Sequence, residues 1–401
     1  MTLTETNPTA VDDAEQRVID LTDELLADYP PASTPERDFL EAQYDRGLAW
    51  VHFPEGHGGL GVSPKLQKTV IERVSAARGP IGGTKNPIGY GMCAPAVEVH
   101  GTDEQKELLR ALFSNENIWC QMFSEPGAGS DVASLAMKAE RDGDEWIVNG
   151  QKVWTTLAHI SSYGLVIART DPELPKHRGI TAFIVDMHAP GVEVRPLRQM
   201  TGEAEFNEVY LTDVRIPDSM RLDDVGRGWA VSITTLMNER VSIGGGTPPK
   251  GSGPIGQLLE TWDAVEHKDP VQRDLVTQLW VQAEVNRLTN IRASQSRTMG
   301  TPGPEGSVAK LAMAELNKAI YSLALDLMGP QGMLYDSYEF VRPRHALFSD
   351  DMYKNFLRAR ANSIEGGTSE VLRNIIGERV LGLPGDVRVD KVAAWKDVPR
   401  N

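Results

Sequence analysis

The sequence predicts a mainly α chain with a central β domain, in α-β-α order, and three observations predict it. Apolar residues recur at helical spacing from Ala10 to about Ser114, short strand-like runs replace them between about Asn115 and Asp223, and the helical period returns after Gly226 and persists to about Leu381. In the first segment Val18, Leu21, Leu25 and Leu26 share a helix face, Pro30 and Pro31 stop that helix, and Asp103 to Phe113 forms another. Trp146 to Val148, Gly164 to Ala168, Ile180 to Val185, Gly191 to Val194 and Phe206 to Ile216 read as strands, with Asn149-Gly150 as a hairpin turn. Gly228 to Ile243, Pro270 to Ser296 and Ser307 to Met328 are the long helices of the last segment. In the third of these, Ala312, Leu316, Ala319, Ile320, Leu323 and Leu327 form an apolar stripe, and Gly329 is its stop. A Gly/Pro-rich break from Gly244 to Pro254 separates the first two. The predicted domains are a helical one over 1–118, a β domain over 119–224 and a helical one over 225–401.

A chain of 401 residues is long enough for two or three domains and a large core. Its net charge of −15 repels polyanions, so nucleic acid and anionic membrane surfaces are excluded as expected partners. An anionic ligand would need a local cationic or amide-rich pocket. Cys93 and Cys120 lack CxxC spacing, so neither a disulfide framework nor a metal site is expected. Both are expected to be small buried residues in a reducing compartment. The N-terminal stretch Thr4 to Asp20 is acidic, without a basic-then-apolar signal pattern, and no run of apolar residues is long enough to span a bilayer. The expectation is a cytoplasmic protein without membrane insertion.

The densest chemical signal is Gln121 to Asp131, Gln-Met-Phe-Ser-Glu-Pro-Gly-Ala-Gly-Ser-Asp. Two hydroxyls and two glycines at this spacing offer closely packed backbone N–H groups and small donors, which suits a flat, phosphate-bearing ligand pressed against main chain. A tight turn with a helix cap is the other reading.

With this segment opening the β region, the chain resembles the acyl-CoA dehydrogenase family. Gly150-Gln151-Lys152-Val153-Trp154-Thr155-Thr156 is similar to the family's Gly-x-Lys-x-Trp-x-Thr strand, Gly329-Pro330-Gln331-Gly332 stands at its Gly-Gly-x-Gly turn, and Ile364 to Arg373 resembles its C-terminal flavin loop. The resemblance covers nearly the whole chain. It implies a small β-barrel or sandwich flanked by an N-terminal helical domain and a C-terminal four-helix bundle. It also implies FAD, with Phe123 and Ser124 at the ring, Trp154 over its face, Thr156 near N5, Gly129 and Ser130 by the flavin pyrophosphate or the coenzyme A phosphates, and Thr368 and Glu370 contacting the dinucleotide.

The implied reaction removes an α-proton from an acyl-CoA thioester and passes hydride to the flavin, with electrons leaving to an electron-transfer flavoprotein. It needs a carboxylate base. Aligned on Gly367-Thr368-Ser369, one family position for that base holds Gly366, with Glu365 one residue early. A second family position, on the helix opening the last domain, reads Asn238-Glu239-Arg240. Glu239 shares a face with Thr235, Leu236, Ser242 and Ile243, and a partly apolar setting makes a carboxylate a stronger base. Glu239 is therefore the expected base and Glu365 the alternative. The Gly366 N–H is expected on the thioester carbonyl, and Arg240 has a structural or substrate-binding role.

Two family features are missing. The Arg-x-x-Phe-Gly segment, by which one subunit completes its neighbour's flavin site, is replaced by Gly244 to Pro254, and Asp326 stands where a glutamine is usual. One branch, bacterial dehydrogenases for coenzyme A esters of steroid side chains, works as α2β2 heterotetramers in this way, and the chain resembles the base-bearing subunit. A homotetramer that holds FAD through Lys250 or Arg273 is the other arrangement. An oxidase, or a non-catalytic acyl-CoA-binding subunit, remains open as an alternative function.

Overall fold

The computed structural model describes residues 8–244, 248–296, 305–335, 337–343, 351–385, 387–388 and 390–399. Six helices precede the sheet: α1 (Pro8–Asp28), α2 (Glu36–Asp45), α3 (Gln67–Ala76), α4 (Ala94–His100), α5 (Asp103–Lys106) and α6 (Leu108–Phe113). The predicted helix from Asp103 is broken at Glu107 into α5 and α6, the first of which starts on a capping box between Thr102 and Gln105. Eight strands follow: β1 (Trp119–Met122), β2 (Lys138–Asp142), β3 (Glu145–Thr156), β4 (Tyr163–Arg169), β5 (Ile180–Asp186), β6 (Val192–Pro196), β7 (Phe206–Pro217) and β8 (Arg221–Leu222). Among the described residues six α-helices follow: α7 (Gly228–Gly244), α8 (Pro254–Ala264), α9 (Pro270–Ser296), α10 (Glu305–Leu327), α11 (Met352–Ala359) and α12 (Ser369–Ile375). The α-β-α order is the one predicted; α8 is a helix the sequence does not predict, and it starts at the end of the Gly244–Pro254 break, where Pro254 opens it immediately after Gly253 turns the chain at φ 70°.

The strands lie in the order β6-β7-β3-β2-β4-β5-β8, with β1 added beside β4. Among the described residues this is an open sheet, so of the barrel or sandwich that the resemblance implied, the closed barrel is not formed. Alternation along β4 divides two cores. Leu165 and Ile167 join the cluster shared with the N-terminal helices and α7, whereas Val166 and Ala168 join one with Trp146, Phe183 and Val209 on the other face. Burial on both sides explains why β4 reads as a continuous apolar run.

Asn149-Gly150 is not a hairpin. β3 runs straight through it, pairing with β7 on both sides, and the register shifts between Val148 and Gly150. Asn149 instead exchanges two hydrogen bonds with Asp213 of β7, at 3.0 and 2.9 Å, so its turn-forming side chain serves a bulge. Gly150 is required there because a Cβ would stand 2.8 Å from that of Met137. The turn into β3 is Gly143-Asp144, with Asp142 paired to Glu145 and Gly143 at φ 61°. The asparagine-glycine pair was the stronger local signal, and cross-strand packing overrode it.

In the last domain α8, α9, α10 and α11 share a core around Leu258, Val276, Ile320, Leu323 and Leu327. The stripe read on α10 is buried at Ile320, Leu323 and Leu327, but Ala319 faces outward. One pin ties all three regions: His100 at the end of α4 bonds Asp223, after β8, at 2.8 Å and Thr234 of α7 at 2.9 Å. Cys93 and Cys120 are buried free thiols, and no helix among the described residues is long and apolar enough to cross a membrane.

A second joint gives a pH signature. Asp218 accepts from Arg221 Nε at 2.8 Å and from Trp146 Nε1 at 2.7 Å, and these bonds, the arginine's first, hold its carboxyl down at about 2. A carboxyl lowered on folding stabilises above its unfolded pKa, and that contribution disappears as pH falls through the folded value. Asp218→Asn is therefore expected to lower stability by about 1–2 kcal/mol at neutral pH, with the deficit narrowing between about pH 4 and pH 2 in urea titrations.

Candidate functional site

The Gln121–Asp131 segment is held from behind by a buried ion pair. Lys152 of β3 is fully buried, and its Nζ donates to Glu125 Oε1 at 2.9 Å and to the Phe123 carbonyl at 3.0 Å. Glu125 also accepts the Ala136 and Met137 N–H groups at 2.6 and 2.9 Å. Burial pulls the Lys152 ammonium down, and the Glu125 carboxylate opposes that. The segment is further stitched to β3 by the Val153 N–H on the Ser124 carbonyl, at 2.9 Å. It is thus a rigid shelf beside the strand, and Glu125-Pro126-Gly127-Ala128 is its turn, closed by bonds between Glu125 and Ala128 in both directions.

That shelf borders a cavity of about 2210 Å³ between the sheet, α7 and the last helices. Phe123, Ser124, Gly129, Ser130, Trp154 and Thr156 all line it. Trp154 is the outlier. It sits in a bulge where the β3/β7 register slips between Lys152 and Thr155, at φ 61°, a conformation costly for a bulky residue. The bulge turns the indole out of the core, 60% exposed on the cavity wall, with its edge against Phe206 at 6.1 Å. A tryptophan of an ordinary β core would not be spent this way.

The two candidate carboxylates differ in their partners. Glu365 lines the cavity but is gripped by Arg358 through two hydrogen bonds of 3.1 and 2.6 Å, and by Asn362 at 2.7 Å. Arg358 also reaches the fully buried Glu205, 3.6 Å away, and lies 5.5 Å from the Phe206 ring centre. Desolvation raises Glu205, whereas the carboxylates around Arg358 outweigh its own burial and keep the guanidinium charged. Glu239, one face of α7, lines the cavity and meets the Gln121 amide, Nε2 to Oε2 at 3.4 Å. The Arg240 side chain lies outside the described residues, although its backbone is part of α7.

Gly366 and Gly367, at φ 62° and 92°, bring the C-terminal loop to the cavity, and Thr368 lines it while capping α12 through the Val371 N–H at 3.2 Å. Glu370 points away: it is 78% exposed, pairs with Arg373 at 3.5 Å and is not a lining residue. A contact between Glu370 and a ligand in this cavity would need a different side-chain placement. Asn86 is a buried hub with hydrogen bonds to Leu112, Asn117, Gly89 and Trp119, and its neighbours Pro87, Ile88 and Met92 line the cavity.

The sequence did not mark Gln121 as a partner of Glu239, nor Arg358, nor the C-terminal tail. In that tail Arg388, Asp390 and Lys391 reach the cavity, and Trp395 packs on Arg169, 4.7 Å from ring centre to guanidinium. Only the arginine preceding the Ile364 loop could have been suspected.

The residues fit a flavin dinucleotide beside a second ligand. A typical ligand pocket is about 300–1,000 Å³, so this cavity has room for two. Its wall offers a flat aromatic face at Trp154, hydroxyls at Ser124 and Thr156, and open space where a Cβ at Gly129 would stand. No cluster of potential metal ligands occurs among the described residues.

Comparison with known proteins agrees with this architecture. Family models for the acyl-CoA dehydrogenase N-terminal, middle and C-terminal domains match residues 12–116, 120–214 and 226–381. The chain is 38% identical over 358 residues to acyl-CoA dehydrogenase FadE34 of Mycobacterium tuberculosis, covering 88% of itself but 47% of that protein, so it spans about half of that relative's length. It is 36% identical over 344 residues to acyl-CoA dehydrogenase IpdE1 of the same organism, covering 85% of itself and 86% of the relative. The crystal structure of the ChsE4–ChsE5 complex, again from M. tuberculosis, contains a chain with 27% identity and a TM-score of 0.68, matched over 96% of this chain and all of that one.

The shelf makes a direct prediction. Lys152→Met leaves Glu125 buried without its cation, and it is expected to cost about 3–5 kcal/mol in chemical denaturation. The double variant Lys152→Met with Glu125→Leu should recover part of that loss while leaving the shelf poorly anchored.

Proposed function

The chain belongs to the acyl-CoA dehydrogenase family, and from that premise we propose that it carries out FAD-dependent α,β-dehydrogenation of an acyl-CoA thioester with Glu239 as the base. The observation that carries the assignment is the contrast between the two carboxylates. Both oxygens of Glu365 accept hydrogen bonds from Arg358, and one also from Asn362, so neither can approach a substrate C–H bond without giving up a charge-assisted contact. Glu239 shares the cavity with Ser124, Trp154 and Thr156.

FAD, when bound, supplies the acceptor for the hydride. Glu239 takes the α-proton as the C–H pair at the α-carbon becomes half of the new double bond. The Gly366 N–H, on a loop that two positive φ angles bend into the cavity, donates to the thioester carbonyl and acidifies that proton. Ser124 and Thr156 would donate towards the ring, Trp154 would shield its face from water, and Gly129, Ser130 and Thr368 would hold the phosphate-bearing parts. Electrons leave to an electron-transfer flavoprotein. Arg240 would contact the acyl-CoA, and Glu370 would contact the dinucleotide only after its side chain leaves Arg373.

The absent Arg-x-x-Phe-Gly segment and Asp326 support an α2β2 assembly in which a related subunit completes the flavin site, with a homotetramer as the alternative. The relative whose structure is a two-component complex supports the same arrangement. The size of the cavity suits a bulky acyl group, and a coenzyme A ester of a steroid side chain is the substrate class proposed.

Turnover of an acyl-CoA series from butyryl-CoA to a steroid side-chain ester, followed by anaerobic dye reduction, tests the activity. Glu239→Gln is expected to lower kcat by about 10³-fold, whereas Glu365→Gln retains most of it. Intact turnover in Glu239→Gln would refute the base. Rapid peroxide formation in air in place of dye reduction identifies an oxidase. Flavin absorbance and activity that appear only when the partner is added support the split site, and full flavin content in the chain alone supports the homotetramer. Acyl-CoA binding without turnover, even with partner and flavin present, identifies the non-catalytic subunit.

A further inference from the structure

We propose that Gln121 is the positioning residue of the Glu239 carboxylate. The inference rests on the reading of Glu239 as the base and adds the group that holds it. Gln121 stands on β1 between the fully buried Cys120 and Met122, with its backbone fixed in parallel register opposite Leu165 of β4. Strand alternation sends its side chain to the opposite side from those two neighbours and into the cavity wall. There Nε2 reaches Glu239 Oε2 at 3.4 Å, across 118 positions of sequence and from a strand to a helix.

The rest of the amide is informative. Gln121 Oε1 is buried and has no hydrogen-bond partner among the described residues. A position chosen for packing alone would take an apolar side chain, as Met122 beside it does, because an unsatisfied buried carbonyl is unfavourable. What the amide adds is its donor half. An NH2 group can only donate, so in this orientation Gln121 matches a carboxylate that is ionised and ready to accept a proton. The polar neighbours of Glu239 on α7 are occupied with their own helix: Thr235 Oγ1 donates to the Val231 carbonyl at 3.0 Å, and Asn238 Nδ2 to that of Thr234 at 2.9 Å. The contact from β1 therefore comes from the rigid sheet and constrains the Glu239 carboxylate from outside its own helix. Proton abstraction depends on that orientation, since small misplacements of a base are costly.

The experiment uses the flavin-loaded protein, with its partner subunit if one is needed, and the best substrate of the acyl-CoA series. In Gln121→Met, a replacement of similar length without the amide, kcat is expected to fall about tenfold while KM and flavin content stay within about twofold. A second readout is independent of turnover. The antisymmetric carboxylate stretch of Glu239, assigned in the infrared by its loss in Glu239→Gln, is expected to shift in Gln121→Met. Gln121→Asn, which keeps an amide one methylene too short, should give the same result and serves if the methionine variant does not fold. An unshifted stretch with unchanged kcat overturns the inference. So does a loss confined to KM, flavin content or stability, which marks a packing role. A shifted stretch together with intact turnover in Glu239→Gln instead overturns the base and leaves the contact standing.

Discussion

The buried pair between Lys152 and Glu125 is the constraint on which the rest of the site depends. An ammonium with no exposed surface is tolerable only against a carboxylate and a carbonyl, and both come from the shelf that it supports. Because Lys152 belongs to β3 and Glu125 to the shelf, the pair sets the distance between Ser124 on one element and Trp154 and Thr156 on the other. The Glu125 carboxylate then spends its remaining capacity on the Ala136 and Met137 N–H groups, which fixes the far end of the loop as well. One strand thus carries both the anchor and the ligand-facing residues, with the bulge at Trp154 letting a core strand turn an aromatic ring outward.

A second charged hub performs the same task for the C-terminal loop. Arg358 joins Glu205 of the loop before β7 to Glu365, so the Gly366-Gly367 turn hangs from the sheet as well as from its own helices. Lys354 to Glu203 at 2.7 Å and the His159 bond to the Pro343 carbonyl at 3.1 Å add to this seam. The hub also distinguishes the two glutamates. Arg358 holds Glu365 in the loop, which supports the proposal that the base is Glu239 on α7, a helix whose position the His100, Asp223 and Thr234 pin determines from the other side. A loop glutamate and a helix glutamate are alternatives in sequence, but in space one meets the Arg358 guanidinium and the other the Gln121 amide.

Much of the fold was legible because hydrophobic period survives any tertiary arrangement. The strands at Tyr163–Arg169, Ile180–Asp186 and Phe206–Pro217, and the helices at Gly228–Gly244 and Pro270–Ser296, stand where the period places them. The errors arise where local chemistry and long-range packing compete. Asn149-Gly150 has turn chemistry, yet Asp213 and Met137 convert it into a bulge inside a twelve-residue strand. Whether the sheet closes into a barrel, one of the two arrangements the resemblance implied, is a property of edge pairing, and here the strand order ends unpaired at β6 and β8.

The sequence by itself determined which residues could do chemistry: the hydroxyls, glycines, tryptophan and carboxylates arrive as short ordered motifs, and their types are set by the ligand they must meet. Only the tertiary structure decided how those residues are paired. That Glu365 faces Arg358, that Glu239 faces Gln121, that Glu370 turns to solvent and that Trp154 leaves the core are all consequences of side chains brought together from 3 to 118 positions apart. Charge neutralisation and hydrogen bonding act over a few ångströms in space, and a linear pattern records those distances only when both partners lie on one element.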